Sequence, residues 1–299
     1  MILFASVGGV ALIACIALAI AIINRPKVTS ESEVMEETQI ETAVTSNVAS
    51  ETTLPSNTPT PSLSPTPSPT PGPECLTSIA DMEAGTVIDS TLIDIENLGQ
   101  YFTISEIEEG DEVYQRIYGY SYVDNNDIAL SDLRYLKMLH VNFDGNYQVG
   151  EMIVNASVAT QVCDIFQSMC ATRYQIYSMY LIETYWVGNG TDSDTNSIEH
   201  NNTSCFCYRP ATGGSSLSRH ALGLAIDINP QQNPYVSVQA DGSLNWSHEN
   251  ASDYVYNRSS DTPHVITESD YAYLLFTTNG WTWGGSWNNP RDYQHFQYS

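Results

Sequence analysis

Two short stretches of this 299-residue chain hold residue types whose spacing supports metal chemistry. In the first, His220 and Asp227 bracket Ala-Leu-Gly-Leu-Ala-Ile, a small apolar segment that reads as buried. An ionised aspartate at the end of a buried strand needs a partner, because burying a lone charge is costly. A metal ion meets that need, and histidine with a carboxylate is a good ligand set for zinc. The plainer reading is an aspartate satisfied in a turn with Asn229 and Pro230. The second stretch is Trp281-Thr-Trp-Gly-Gly-Ser-Trp287, followed by Asp292-Tyr-Gln-His295. An aspartate and a histidine at this spacing can point at one site, one as base and one as ligand. Together the stretches offer three ligands and a spare carboxylate, the inventory of a zinc site that keeps one position open for water. The Trp- and Gly-rich segment reads as a rigid pocket wall, with Trp283 the candidate for substrate contact, or as core packing.

Mixed strands and helices must position these residues. Gln115 to Val123 is rich in Tyr, Ile and Val and predicts a strand. Leu133 to Phe143 predicts another, followed by the turn signal Asp144-Gly145-Asn146. A helix is expected from about Asn155 to Cys170, with Val158, Val162, Ile165 and Phe166 on one face. Ile176 to Tyr185 reads as a strand and Leu222 to Ile228 as a short buried one. Glu268 to Asn279 reads as a helix closed by Gly280. From Gly280 to Gln297 the chain reads as aromatic-rich and extended. There is no regular βαβ alternation, so the expected class is α+β with a mostly antiparallel central sheet flanked by helices.

Composition removes the N-terminal part from any core. Ile2 to Ile23 is apolar and uncharged, long enough to cross a bilayer as a helix, and Asn24-Arg25-Pro26-Lys27 ends it. Residues 1–27 are therefore expected to be a transmembrane anchor, with an uncleaved or cleaved signal peptide as the alternative. Residues 28–74 are polar and then Pro/Thr/Ser-rich, as in SPTPSPTPGP, and read as a disordered, extended stalk. Residues 75–112 read as an acidic lead-in, and the core domain is expected over 113–299. Arg25 and Lys27 alone would keep that domain in the cytoplasm; the anchor-and-stalk layout favours the cell surface. The net charge is -25, with no Lys or Arg between Val28 and Arg116. That excludes nucleic acid as a partner and argues against adhesion to anionic lipid. Of six cysteines, five lie beyond the apolar run: Cys75, Cys163, Cys170, Cys205 and Cys207. Cys163 and Cys170 sit two helical turns apart, roughly 10 Å along the axis, too far for a direct bridge. Cys205 and Cys207 read as buried small residues or one disulfide partner, since no second Cys pair completes a zinc-thiolate site. His140, His200, His248 and His264 are not expected to bind metal.

The stretch SRHALGLAIDINPQQNPYV resembles the SxHxxGxAxD motif of the VanY-like D-alanyl-D-alanine carboxypeptidases and related L-alanyl-D-glutamate peptidases. WTWGGSWNNPRDYQHFQ is similar to their closing WGGxWxxxxDxxHF motif, and Asn201 to Arg209 to an NNTSxFxxR segment of the endopeptidase-like branch. Leu133 to Leu136 and Phe143-Asp144-Gly145 fall in the expected order. The resemblance implies a zinc DD-peptidase/Hedgehog-like fold and one zinc ion held by His220, Asp227 and His295. It implies Asp292 as general base toward the attacking water. Arg209 would hold a substrate carboxylate or the developing oxyanion, a task suited to a planar guanidinium. Ser218 would orient substrate or the metal shell. The implied substrates are peptidoglycan stem peptides, reached from a membrane anchor with the domain facing the wall. The 201–209 segment tilts the activity toward L-alanyl-D-glutamate cleavage. The alternatives are D-alanyl-D-alanine carboxypeptidase activity and, in a different class, a non-catalytic wall-binding module.

Overall fold

The computed structural model describes residues 74–299. The apolar run Ile2–Ile23 and the stalk up to Pro73 lie outside the described residues. Among the described residues, no helix is long and apolar enough to cross a membrane.

The elements in chain order are β1 (Val87–Ile88), β2 (Phe102–Glu106), α1 (Glu112–Ile117), β3 (Leu133–Val141), β4 (Tyr147–Asn155), α2 (Ala159–Ala171) and α3 (Gly190–Glu199). They continue with β5 (Ala225–Asp227), β6 (Tyr235–Val238), β7 (Leu244–Trp246), α4 (Ser252–Tyr256), α5 (Tyr271–Thr278), β8 (Trp281–Trp283), β9 (Arg291–Asp292) and β10 (His295–Tyr298). The class is α+β, as expected. The strands form three antiparallel sheets, ordered β1-β4-β3-β2, β5-β10-β8 and β7-β6-β9, in place of the single central sheet expected.

The β3–β4 hairpin is the scaffold. Its register runs from Leu133 opposite Asn155 to Val141 opposite Tyr147. Asn142 closes the turn, its Oδ1 accepting from the backbone N–H groups of Asp144 (3.1 Å) and Asn146 (3.0 Å). Helix α2 buries Val162, Ile165, Phe166 and Met169 against Leu136, Met138, Met152 and Val154. Each such side chain contributes about 1.5–3 kcal/mol on burial. The same apolar cluster runs on to Ile226, Ile228, Phe276 and Phe296, so scaffold and C-terminal sheet share one core.

Several expectations are corrected. Residues 75–112 are part of the fold: β1 pairs with β4, β2 pairs with β3, and Ile79, Ile93, Leu98 and Tyr101 are buried. The segment Gln115–Val123 does not form a strand. Asp111 caps α1 by accepting from the Tyr114 N–H at 2.6 Å, and Glu112 and Arg116 suit its two ends. These end effects outweigh the β preference of Tyr, Ile and Val. Ile176–Tyr185 is not a strand: Ile182–Tyr185 forms a 3-10 turn, and side-chain amides take part of the backbone before it. Asn229 Oδ1 accepts from the Tyr177 N–H at 2.9 Å, and Asn202 bonds both the N–H and the C=O of Tyr180 at 2.8 and 2.9 Å. Strand β4 went unread because Gln148, Gly150 and Glu151 interrupt its apolar pattern. Glu151 is nonetheless buried, held by Arg116 and by the Tyr135 hydroxyl at 2.8 Å.

The turn carrying His220 is gripped by the end of β4. Asn155 donates from its backbone N–H to the Gly223 C=O at 2.8 Å and from Nδ2 to the Leu222 C=O at 2.9 Å. Gly223 has φ +64°, and a Cβ there would lie 2.5 Å from the Asn155 nitrogen. Gly223→Ala therefore combines backbone strain with overlap and is expected to lower unfolding free energy by about 2–4 kcal/mol, measured by urea denaturation.

Candidate metal centre

Strand register places two of the three ligand candidates. In the β5–β10 pair, His295 lies opposite Asp227 and Phe296 opposite Ile226. Phe296 and Ile226 are fully buried in the core, so pleat alternation turns His295 and Asp227 to the other face. His220 reaches the same point from a single 3-10 turn, His220–Leu222, that ends at Gly223. All three side chains are buried, and each brings one ligand atom within 4.8 Å of the others.

Each histidine has an outward acceptor for one ring proton. His220 Nδ1 sits 2.6 Å from the Cys205 carbonyl, which can only accept. His295 Nε2 sits 3.2 Å from Gln297 Oε1. With both ring protons directed outward, His220 Nε2 and His295 Nδ1 face each other across 3.2 Å as two lone pairs. Asp227 adds its oxygens at 3.3 Å from His220 and 3.0 Å from His295. Gln294 Nε2 donates to Asp227 Oδ2 at 3.2 Å; the remaining converging atoms suit a cation, and the two-nitrogen, one-carboxylate set fits zinc. Burial alone would raise the Asp227 carboxyl, but His220 and His295 in their protonated form hold it well below the ordinary carboxylate range. Burial likewise opposes the charged form of His220, and Asp227 outweighs it and raises that ring.

Around this cluster lies a cavity of about 510 Å³ lined by Asp194, Arg209, Ser218, Asp292 and Trp287, among others. Asp292 ends β9 in the third sheet, opposite Tyr235. Its Oδ1 is enclosed with no hydrogen-bond partner. Burial pushes its carboxyl up to about 7, against the opposing pull of His295. Gly284 makes this seat possible, since a Cβ there would lie 2.6 Å from the Asp292 carbonyl oxygen and 3.3 Å from the His295 Cβ. Arg209 is buried and ion-paired with Asp194 of α3, Nη2 to Oδ2 at 2.7 Å. Ser218 ties the two halves together: its N–H donates to the Arg209 C=O at 3.1 Å, and its Oγ accepts from the His220 N–H at 3.2 Å.

Six of the seven residues singled out from sequence thus meet in one cavity. Trp283 does not line it. Its ring is buried against Tyr273, Tyr293 and Phe296, and its Nε1 donates to the Tyr293 carbonyl at 2.9 Å. Trp287 lines the cavity instead, 5.5 Å from the His295 ring. Asp194 escaped sequence reasoning, because nothing near Gly190–Glu199 marks one acid above the others. Gln297 was missed as well, although a residue two along a strand from a ligand candidate faces the same side. All five cysteines among the described residues are free thiols, and Cys205 serves through its carbonyl oxygen. His264 stacks on Phe143 at 3.7 Å, and His140 and His248 are buried elsewhere.

Residues 212–298 match the family model described as D-alanyl-D-alanine carboxypeptidase. Over that segment the match bears out the resemblance to the VanY-like peptidases. No curated protein and no solved structure matches the chain.

Partners outside the ligand shell fix ligand orientation, and losing one weakens metal binding about tenfold to a hundredfold in comparable sites. Gln297→Leu is therefore expected to weaken zinc affinity by about tenfold, read by competition with a chromogenic chelator.

Proposed function

We propose that the protein is a zinc-dependent peptidase that hydrolyses amide bonds in peptidoglycan stem peptides. The observation that carries this reading is the convergence of the His220, His295 and Asp227 acceptor atoms on one buried point beside an unpartnered carboxylate. In this reading His220, Asp227 and His295 hold one zinc ion within a zinc DD-peptidase/Hedgehog-like fold. Zinc supplies a Lewis acid that polarises the substrate carbonyl and lowers the pKa of water.

The remaining steps belong to the chain's own side chains. Asp292 Oδ1 accepts a proton as water attacks the scissile carbonyl, then returns it to the leaving nitrogen. Arg209, held by Asp194, donates toward the carbonyl oxygen as negative charge develops there. Ser218 keeps the Arg209 and His220 segments in register, and Trp287 walls the cavity.

The finer reading is cleavage of the L-alanyl-D-glutamate bond, supported by the Asn201 to Arg209 segment. Its residues have structural work here: Asn202 holds Tyr180, Cys205 holds His220 and Arg209 lines the cavity. A D-alanyl-D-alanine carboxypeptidase is the second reading, favoured by the description of the matching family model. For location, the reading is a single-pass anchor at residues 1–27 and a stalk over 28–74, with the domain outside facing the wall.

Digestion of purified muropeptides followed by mass spectrometry separates the activities. Release at the L-alanyl-D-glutamate bond is the expected product, and loss of terminal D-alanine alone would reject it for the second reading. Asp292→Ala is expected to retain bound zinc and lower kcat by about 10²–10⁴-fold; a variant as active as wild type would remove Asp292 from its role.

A further inference from the structure

Only two of the residues lining the metal-centre cavity carry a fixed positive charge, Arg209 and Arg219. They stand in opposite circumstances. The Arg209 guanidinium is buried, paired with Asp194 at 2.7 Å, and donates from Nη1 to the Pro210 carbonyl at 3.2 Å. A second carboxylate at Arg209 would have to share its charge with Asp194. Arg219 is half-buried, and its guanidinium has no hydrogen-bond or ion-pair partner among the described residues. Its backbone is nevertheless fixed: its carbonyl accepts from the N–H groups of Leu222 and Leu224, both at 3.1 Å. It also immediately precedes His220, so a free cation is mounted on the turn that carries a ligand candidate.

The carboxylates sharpen the contrast. Asp194, Asp227 and Asp292 all line the same cavity. An anionic group entering it meets three acids, one neutralised arginine and one arginine with its donors unused. A guanidinium binds a carboxylate through parallel charge-assisted hydrogen bonds, and Arg219 is the group with donors available. Resting on the peptidase reading above, we propose that Arg219 recognises a free α-carboxylate on the leaving-side residue of the substrate. Arg209 is then left to the reacting carbonyl. The substrate class is a peptide whose leaving-side residue keeps its α-carboxyl as the free acid. Both bonds under consideration offer one. A terminal D-alanine carries it, and so does a D-glutamate whose chain continues through its side-chain carboxyl.

The test uses the zinc-loaded full-length chain and matched probes. These are acetyl-D-alanyl-D-alanine and acetyl-L-alanyl-D-glutamate, each as free α-acid and as α-amide, with binding followed by calorimetry and KM by hydrolysis. Wild type is expected to bind the acid of its preferred pair about tenfold more tightly than the amide, one charge-assisted contact's worth. In Arg219→Gln that ratio is expected to fall to near one, whereas Arg209→Gln lowers kcat and keeps the ratio. A ratio that survives Arg219→Gln, or a wild-type preference for the amide, overturns the assignment while leaving the peptidase reading in place. Failure of wild type to bind or cleave any of the four probes overturns both.

Discussion

The pairing of His295 with Asp227 across β5 and β10 is the constraint on which the site depends. Because side chains alternate along a strand, a slip of one residue would bury both ligand candidates in the core and turn Phe296 and Ile226 to the cavity. Phe296 and Ile226 are fully buried, so the apolar core fixes the register that the polar site needs. The hydrophobic cluster between α2 and the C-terminal sheet thereby acts as the template for the metal centre. No part of the ligand geometry rests on a long flexible loop. His220, the one ligand candidate outside the sheet, sits on a turn that Asn155 grips from the scaffold hairpin.

The protein handles buried charge by commitment. With few basic residues in the whole chain, three of its buried or half-buried arginines are assigned. Arg116 neutralises Glu151 beneath the scaffold sheet, and Arg209 neutralises Asp194 at the cavity. Arg258 stacks over the Tyr293 ring at 3.7 Å while donating to the carbonyls of Gln232 and Ile266. Tyr293 lies between Asp292 and His295, so this third arginine braces the chain where base and ligand candidates diverge. The acidic exterior and the paired interior follow separate rules. The first concerns solubility, and the second concerns placing charge where water is scarce.

Much of the site was legible in the sequence, because its chemistry resides in residue types at short fixed spacings. His220 with Asp227, and Asp292 with His295, are brought together by a turn and three short strands in segments that the sequence outlines. What was not legible depends on long-range placement. Asp194 becomes significant only when α3 packs beside Arg209. Trp283 and Trp287 are indistinguishable by composition, and sheet geometry sends one to the core and the other to the cavity. The same holds for the fold. The apolar run Ile176–Tyr185 is not a strand, because Asn202 and Asn229, distant in sequence, take backbone groups of Tyr177 and Tyr180 and the chain then turns into a 3-10 helix. The acidic stretch 75–112 hid two strands because edge strands need little apolar sequence of their own once a neighbouring hairpin supplies the ladder.

The chain passes from the third sheet to the second between Asp292 and His295, so the carboxylate and the metal-ligand candidate three residues away answer to different scaffolds. Substitutions that shift β6 and β9 would move the proposed base while leaving the His–Asp–His triangle on its own sheet. On the proposed reading, affinity for the ion and speed of proton transfer are then separable traits, open to independent adjustment by natural variation. A site built on a single strand would have had to change both at once.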